Sequence, residues 1–260
     1  MQEYLGIAGF MNHGDVRAVL DARSPWSKRK TMIGVLATSK TINGEADSQT
    51  NRCPTPGQMG NIFDDDPRAL NLVHFSIKSK ESKESKESKE SKEGLFEEMA
   101  RAFNLAGPYC HGLQLNIPWP DPSVLGFFKI KANPVTIVLQ IGESALEMIG
   151  HSPQRLADKI EEEYKHFVDY ILLGSGGDRK RSFDPCVLGT YLHALEGKRM
   201  AIGLGVEGRM NTSTLYAVAL LIKEFPNLSI SANAGARDER DWLNPQLAIS
   251  FTRKAECLFG

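Results

Sequence analysis

The segment ILLGSGG, residues 171–177, is followed closely by SFDP, residues 182–185. A short apolar run without polar alternation is typical of a strand that is buried on both faces of a parallel sheet. The glycines after it indicate a turn, and Asp184 before Pro185 is typical of the start of a helix. The segment therefore predicts a buried strand, a glycine-rich loop and a helix in succession.

Apolar runs of this kind recur along the chain, with helix-forming segments between them. The predicted strands are residues 4–10, 31–37, 70–77, 112–117, 135–141, 170–173, 200–204 and 228–232. The predicted helices are residues 15–23, 96–103, 154–167, 187–195 and 212–225. Eight strands with crossover connections predict an α/β protein with a (β/α)8 TIM barrel as a single domain over residues 1–260. An open doubly wound sheet is the alternative.

The charge and the cysteines narrow the class of protein. The chain has 31 basic and 32 acidic residues, so its net charge of -1 gives no reason to expect a nucleic acid or a membrane as partner. The four cysteines have no CxxC spacing, the N-terminus lacks a secretory pattern, and no apolar run is long enough to span a bilayer. We expect a soluble, cytoplasmic protein with reduced thiols.

Two segments depart from an ideal barrel. Residues 39–66 form a long connection after the second strand, and connections of this length are often binding loops. Residues 79–93 are five Ser-Lys-Glu repeats, which place opposite charges four residues apart but offer no apolar stripe. We interpret the repeat as a low-complexity, charged insertion after the third strand, and a partner-binding element is the alternative.

Two segments resemble the phosphoribosylanthranilate isomerase family of tryptophan synthesis. LGIAGFMNHGDV, residues 5–16, is similar to the family's K-I-C-G-I-T-x-x-x-D, and residues 171–185 are similar to its L-L-D-S-x-x-G-G-x-G-x-x-F-D-W. The resemblance implies a TIM barrel and an Amadori rearrangement, for which the family uses a cysteine and an aspartate as proton-transfer groups. In this chain the cysteine falls on Ala8 and the aspartate on Gly174, and neither residue can transfer a proton.

The resemblance therefore supports the scaffold more than the reaction. We expect an isomerase-like barrel that binds a phosphorylated small molecule and has lost or replaced the family's acid and base. One alternative is a non-catalytic barrel that serves protein interaction or regulation. The other is a genuine sugar-phosphate isomerase with displaced catalytic residues, so whether the chain is an enzyme stays open.

The resemblance also implies binding residues. The family has a phosphate site after strands seven and eight, where glycine N–H groups and nearby cations suit an oxyanion. The expected phosphate-binding residues are Gly203, Gly205, Gly235, Arg209 and Arg237. Two further residues are expected to contact the substrate. Arg52 matches an arginine that holds a carboxylate, and Gln114 matches a polar residue at the end of strand four.

His13, after strand one, and Asp178, after strand six, are the candidates to replace the missing acid and base. Asp15 and Asp184 are interpreted as residues at helix starts. The histidines lack the HxH or HxxxH spacing that is typical of a zinc site. We therefore expect neither a metal nor another cofactor.

Overall fold

The computed structural model of the protein describes residues 1–45, 51–77, 91–174, 184–208 and 210–259. Its strands form a closed barrel in the order β1 to β8, and every neighbouring pair is parallel. The strands are β1 Tyr4–Ala8, β2 Lys30–Thr38, β3 Ala69–Ser76, β4 Gly112–Asn116, β5 Thr136–Ile141, β6 Tyr170–Gly174, β7 Gly203–Gly208 and β8 Ser229–Ala232.

Helices follow the strands and cover the barrel. They are α1 His13–Asp21, α2 Ser39–Ile42, α3 Pro56–Met59, α4 Lys92–Leu105, α5 Pro122–Lys131, α6 Glu143–Met148, α7 Pro153–Lys159, α8 Pro185–Gly197, α9 Tyr216–Glu224 and α10 Pro245–Phe259. A π-helical turn, Ile160–Tyr164, continues α7, and a 3-10 turn, Ala234–Ala236, follows β8. The predicted (β/α)8 TIM barrel is confirmed.

The pairing of the first and last strands closes the barrel, and the common direction of the strands distinguishes its two ends. Leu5 of β1 pairs with Ile230 of β8, so the first and last strands are neighbours. Because all strands are parallel, their carboxyl ends meet at one mouth, which is the end where the sites of such barrels lie.

The core has two compartments because alternate residues of each strand point to opposite faces. One cluster fills the amino-terminal part of the barrel interior: Tyr4, Met32, Leu70, Leu72, Val138, Tyr170 and Leu172. The larger cluster lies between the strands and the helices, and Ile7, Val73 and Ile171 belong to it. The polar residues described below occupy the interior nearer the mouth.

The seventh strand was predicted at the wrong place. It spans Gly203–Gly208 and not residues 200–204. A Cβ at Gly203 would overlap the Tyr170 ring, so the first residue of this strand has to be small. Among the predicted helices, residues 154–167 divide into α7 and a π turn, and α9 begins at Tyr216 and not at residue 212.

The two unusual segments are partly described. The connection after β2 contains α2 and α3, and residues 46–50 lie outside the described residues. Residues 79–90 of the Ser-Lys-Glu repeat also lie outside them. The final repeat begins a helix, since Ser91 caps α4 by accepting a hydrogen bond from the Gly94 N–H at 3.1 Å.

Candidate active site at the barrel mouth

Four polar side chains meet inside the barrel near its mouth, and we call them the polar layer: His74 of β3, Gln114 of β4, Gln140 of β5 and Glu207 of β7. The Gln114 amide nitrogen lies 3.0 Å from a Glu207 carboxylate oxygen and 2.9 Å from the Gln140 amide oxygen. The Gln140 amide nitrogen donates to the other Glu207 oxygen at 3.1 Å. Each carboxylate oxygen therefore accepts one amide N–H.

Glu207 is almost entirely buried, with 8% of its surface exposed. Burial disfavours the charged form and raises the pKa of this carboxyl from 4.5 to about 7, although the two amide donors partly oppose the rise. The side chain can therefore both accept and donate a proton near neutral pH, which suits a general acid or base.

His74 lies beside Gln114, with its Nδ1 3.4 Å from the Gln114 amide nitrogen. Burial, aided by the positive charge of Arg237, lowers the pKa of this imidazole to about 4. At neutral pH the ring is uncharged, so it offers Glu207 no compensating positive charge.

The Gln114 side chain has unused hydrogen-bonding capacity. Its amide nitrogen donates hydrogen bonds within the polar layer. Its oxygen, Oε1, is buried and has no hydrogen-bond partner among the described residues. A buried acceptor without a partner costs free energy, so a donor from water or a ligand would stabilise it. Gln114 therefore lies in the barrel interior, in the middle of β4, while contact with a substrate stays a prediction.

Arg237 lies at the rim of the mouth, beside the end of β1. Its guanidinium donates to the main-chain oxygens of Asp241 at 2.9 Å and Ala8 at 3.4 Å, and to the Asn233 side chain at 3.3 Å. Gly9 makes room for it, because a Cβ there would overlap the guanidinium, and the φ of +102° of Gly9 also favours glycine. Burial and the nearby Arg52 charge lower the pKa of Arg237 to about 10.

Arg52 reaches the same side of the mouth from the connection after β2. Its Nε and Nη2 donate to the two carboxylate oxygens of Asp241, and the adjacent Asn51 donates to the Arg240 main chain at 3.1 Å. Because the Arg52 charge also affects Arg237, the two arginines act on one region and not at opposite ends of a ligand. A carboxylate-binding role for Arg52 stays a prediction.

The strand ends that face this region carry small side chains. Ala8 is the last residue of β1 and Gly174 the last of β6. A Cβ at Gly174 would lie 3.5 Å from the Gln140 amide nitrogen, an ordinary contact that leaves room for a side chain. Cys53 packs against Ala8 and Leu36, so a sulfur from another segment lies beside the position of the family's cysteine.

The expected positions of two phosphate-binding glycines are wrong. Gly203 begins β7 at the amino end of the barrel, and Gly205 lies in the middle of that strand, so neither is in the loop after it. Gly235 does follow β8, where the Met210 main chain approaches so closely that a Cβ would overlap it. Arg209 lies outside the described residues.

His13, one of the two candidate replacements for the acid and base, is not part of the polar layer. His13 is the first residue of α1, has 49% of its side chain exposed, and lies 3.5 Å from Asp64. Asp178 lies outside the described residues. Within the described ranges, no group of three or more His, Cys, Asp or Glu side chains could hold a metal ion.

Sequence reasoning missed Glu207, Gln140 and the role of His74. His74 follows Leu70 and Leu72 at a spacing of two, a pattern that places all three on one face of β3. Glu207 is an isolated acid in the glycine-rich run GLGVEG, and it was overlooked because strand seven was predicted to end at residue 204.

The closed barrel of eight parallel strands defines the chain as a (β/α)8 barrel. Among solved structures it is similar to phosphoribosylanthranilate isomerase from Thermotoga maritima, in a structure of monomers generated from the dimeric enzyme. The TM-score is 0.56, the sequence identity is 14%, and the match covers 98% of each chain. The resemblance seen in the sequence thus extends to the fold.

A second similar structure is the octameric ribulose-1,5-bisphosphate carboxylase/oxygenase from Pyrococcus horikoshii, in complex with sulfate ion. Its TM-score is 0.55 at 10% identity, over 99% of this chain and 58% of that one. At such identities the likeness concerns the fold alone. No protein-family model and no curated protein matches the sequence.

No helix in the described ranges is both long and apolar enough to cross a membrane.

Proposed function

We propose that this barrel binds a small phosphorylated molecule at its mouth, with the anionic group at Arg237. The observation that carries the proposal is a buried guanidinium, 8% exposed, that forms no ion pair with a carboxylate among the described residues. Its acceptors are neutral oxygens. Burying a cation without a counterion costs free energy, and a bound anion would remove that cost.

A phosphate group suits this position for two reasons. Its oxygens can accept parallel hydrogen bonds from a guanidinium, which is a preferred geometry for arginine. Arg52 also adds a second positive charge to this region, in which Asp241 and Asp238 supply the negative charges. Gly235 supports the proposal further, since it brings the segments after β7 and β8 into contact.

The proposed function does not include the reaction of the phosphoribosylanthranilate isomerase family. Ala8 and Gly174 carry no group that could act as acid or base, so the phosphoribosylanthranilate isomerase reaction is not the proposed activity. The proposed function is that of an isomerase-like barrel that keeps a phosphorylated ligand and has replaced the proton-transfer groups.

The test is the melting temperature of the protein in inorganic phosphate and in chloride at equal ionic strength. Phosphate that binds the folded state raises the melting temperature increasingly with its concentration. Arg237→Gln should abolish the phosphate-specific rise. Arg29→Gln is the matched control, because Arg29 also donates to main-chain oxygens, of Leu228 and Pro226, but lies at the amino end of the barrel.

Equal effects of phosphate and chloride on the wild type would overturn the proposal, as would an unchanged phosphate effect in Arg237→Gln. If Arg237→Gln does not fold, Arg237→Lys is the second variant, because it keeps the positive charge but lacks the planar guanidinium with its paired N–H donors. The lysine variant should then show a smaller phosphate effect than the wild type.

A further inference from the structure

Glu207 lies near the carboxyl end of β7, the end at which the barrel mouth lies. It is the residue before the last of β7, and it pairs in register with Gly174 of β6 and Ser231 of β8. Gly174 has no side chain to cover it on one flank. The carboxylate therefore lies one residue before the carboxyl end of β7, beside the small residue that ends β6.

The orientation of the carboxylate is fixed by the polar layer. One oxygen accepts from Gln114 at 3.0 Å and the other from Gln140 at 3.1 Å. Two amide donors hold the group in place without supplying a positive charge. Near neutral pH the carboxyl can then exist in either protonation state without losing its neighbours.

Among the described residues, the titratable groups that face Glu207 are neutral at physiological pH. His74, on β3, has its pKa lowered to about 4, and the buried Tyr4 hydroxyl, on β1, has its pKa raised. The Tyr4 hydroxyl and the Gln114 Oε1 have no hydrogen-bond partner among the described residues. The interior thus combines one titrating acid with an unused acceptor, Gln114 Oε1, that fits a hydroxyl donor of a ligand.

The distance to the anion site suits a small sugar phosphate. Arg237 donates to the main-chain oxygen of Ala8 in β1, while Glu207 is on β7, and β8 lies between these strands. Strands in a sheet are 4.7–4.9 Å apart, so the two backbones are about 10 Å apart. A ligand that holds a phosphate at Arg237 could extend a few carbon atoms toward Glu207.

From this arrangement we propose that Glu207 is a catalytic residue that moves a proton on a phosphorylated α-hydroxyketone, whose hydroxyl donates to Gln114. The proposal rests on the proposed phosphate site at Arg237. The Glu207 carboxylate removes a proton from the carbon that bears the hydroxyl. The C–H electron pair forms a C=C bond, and the carbonyl π pair moves to its oxygen to give an enediolate.

Return of the proton from Glu207 to the same carbon restores the substrate, which is an exchange. Return to the other carbon gives the isomer once the hydroxyl proton has passed to the enediolate oxygen, so that the new carbonyl forms at the former hydroxyl carbon. The substrate and product have the same composition, and no oxidant or reductant is needed. In heavy water, a deuteron that enters Glu207 from solvent replaces the proton that was removed, which makes the step directly measurable.

The experiment incubates the protein in heavy water with dihydroxyacetone phosphate or ribulose 5-phosphate and follows the loss of the C–H signal by proton NMR. The wild type should exchange the proton, with a rate that rises as the pH increases through about 7 because the base form is required. Glu207→Gln replaces the carboxylate by an amide of similar shape that cannot transfer a proton. Its exchange rate should therefore fall by roughly 10²- to 10⁴-fold. Glu224→Gln, on the surface beside His193, should exchange like the wild type.

The effect of phosphate on the melting temperature separates this proposal from the proposed function. Glu207→Gln should keep the phosphate effect, and Arg237→Gln should lose it. Absence of exchange in the wild type with both probes, together with a phosphate effect, would overturn the role of Glu207 and leave the anion site standing. An exchange rate unchanged in Glu207→Gln would overturn it as well.

If Glu207→Gln does not fold, Glu207→Asp tests the same point. It keeps the carboxylate but withdraws it by one methylene group. The exchange rate should fall, because the carboxylate no longer reaches the same position, but the rate should still depend on pH. A rate equal to that of the wild type and independent of pH would contradict the proposal.

Discussion

Arg52 and Asp241 join the connection after β2 to the segment after β8, across a sequence separation of 189 residues. The Nη2 of Arg52 lies 2.6 Å from the Oδ1 of Asp241, and Nε donates to the other oxygen. The pair holds two loops together at the rim of the mouth and places a carboxylate beside the proposed anion site. Asp241 therefore competes with any anion that approaches Arg52 or Arg237.

The competition predicts opposite effects of two substitutions. Asp241→Asn removes the competing negative charge and should strengthen inorganic phosphate binding about two- to five-fold, the effect of a partly exposed charge. Arg52→Ala removes one of the two cations and should weaken binding by a similar factor. Isothermal titration calorimetry with phosphate measures both, and equal affinities in the two variants would show that this pair does not influence the site.

Gly235 predicts a packing effect that is independent of any ligand. A Cβ there would overlap the Met210 main-chain oxygen, and the backbone cannot move aside as a side chain can. Gly235→Ala should lower stability by roughly 1–3 kcal/mol in a urea titration, as overpacking does. Gly197→Ala is the control, because no atom lies within 4 Å of the new Cβ, and it should not destabilise the protein. No loss of stability in Gly235→Ala would mean that the two loops can separate freely.

The amount of the fold that could be predicted follows from the physics of parallel barrels. β3 is easily recognised in the sequence, because both faces of the strand are buried and most of its residues are apolar. Its predicted bounds differ from the observed ones by one residue at each end. The β7 run, GLGVEG, is half glycine and has no comparable hydrophobic signal, so its start was misplaced by three residues. That shift left Gly205 outside the predicted strand and concealed Glu207.

The site could be predicted only in part, for a different reason. Gln114 was identified from its resemblance to a family residue, but the hydrogen bonds that join it to Gln140 and Glu207 link strands that are distant in the sequence. Nothing local indicates such a contact. Likewise, the pairing of Arg52 with Asp241 depends on loops that meet in space, so the sequence alone could not reveal it.

The start of α4 gives a prediction about the Ser-Lys-Glu repeat. Ser91 accepts a hydrogen bond from the Gly94 N–H, so this side chain caps α4. Ser91→Ala should cost about 1 kcal/mol of stability by loss of the helix cap. Ser79→Ala is the matched control and should be neutral in a urea titration. Equal losses in the two variants would show that the capping bond contributes nothing.

Ala8 and Gly174 predict the outcome of an assay with phosphoribosylanthranilate. Each missing proton-transfer group typically supplies roughly 10²- to 10⁴-fold in rate, so turnover of that compound should be undetectable. Gly174→Asp should fold, because the new Cβ makes only ordinary contacts. Growth of a tryptophan auxotroph lacking this isomerase, when it is supplied with the wild-type chain, would contradict the prediction.

Glu207 and His74 should make stability depend on pH in opposite directions. The pKa of Glu207 is raised from 4.5 to about 7, so between these values the folded protein holds more proton than the unfolded chain, and this contribution to stability is lost as the pH rises. The pKa of His74 is lowered from 6.5 to about 4, so its contribution is lost as the pH falls through that range. Between about pH 4.5 and 6.5 the two effects largely cancel.

Single substitutions should remove the cancellation. In Glu207→Gln only the histidine remains, and the free energy of unfolding should rise with pH between about 4.5 and 6.5, with a slope approaching roughly 1.4 kcal/mol per pH unit. In His74→Gln only the carboxyl remains, and the free energy should fall with pH over the same interval by a similar slope. Urea titrations at half-unit steps from pH 4 to 8 give these slopes, with Glu224→Gln as the exposed control. Parallel curves for the wild type and both variants would show that neither group keeps its altered pKa in the folded barrel.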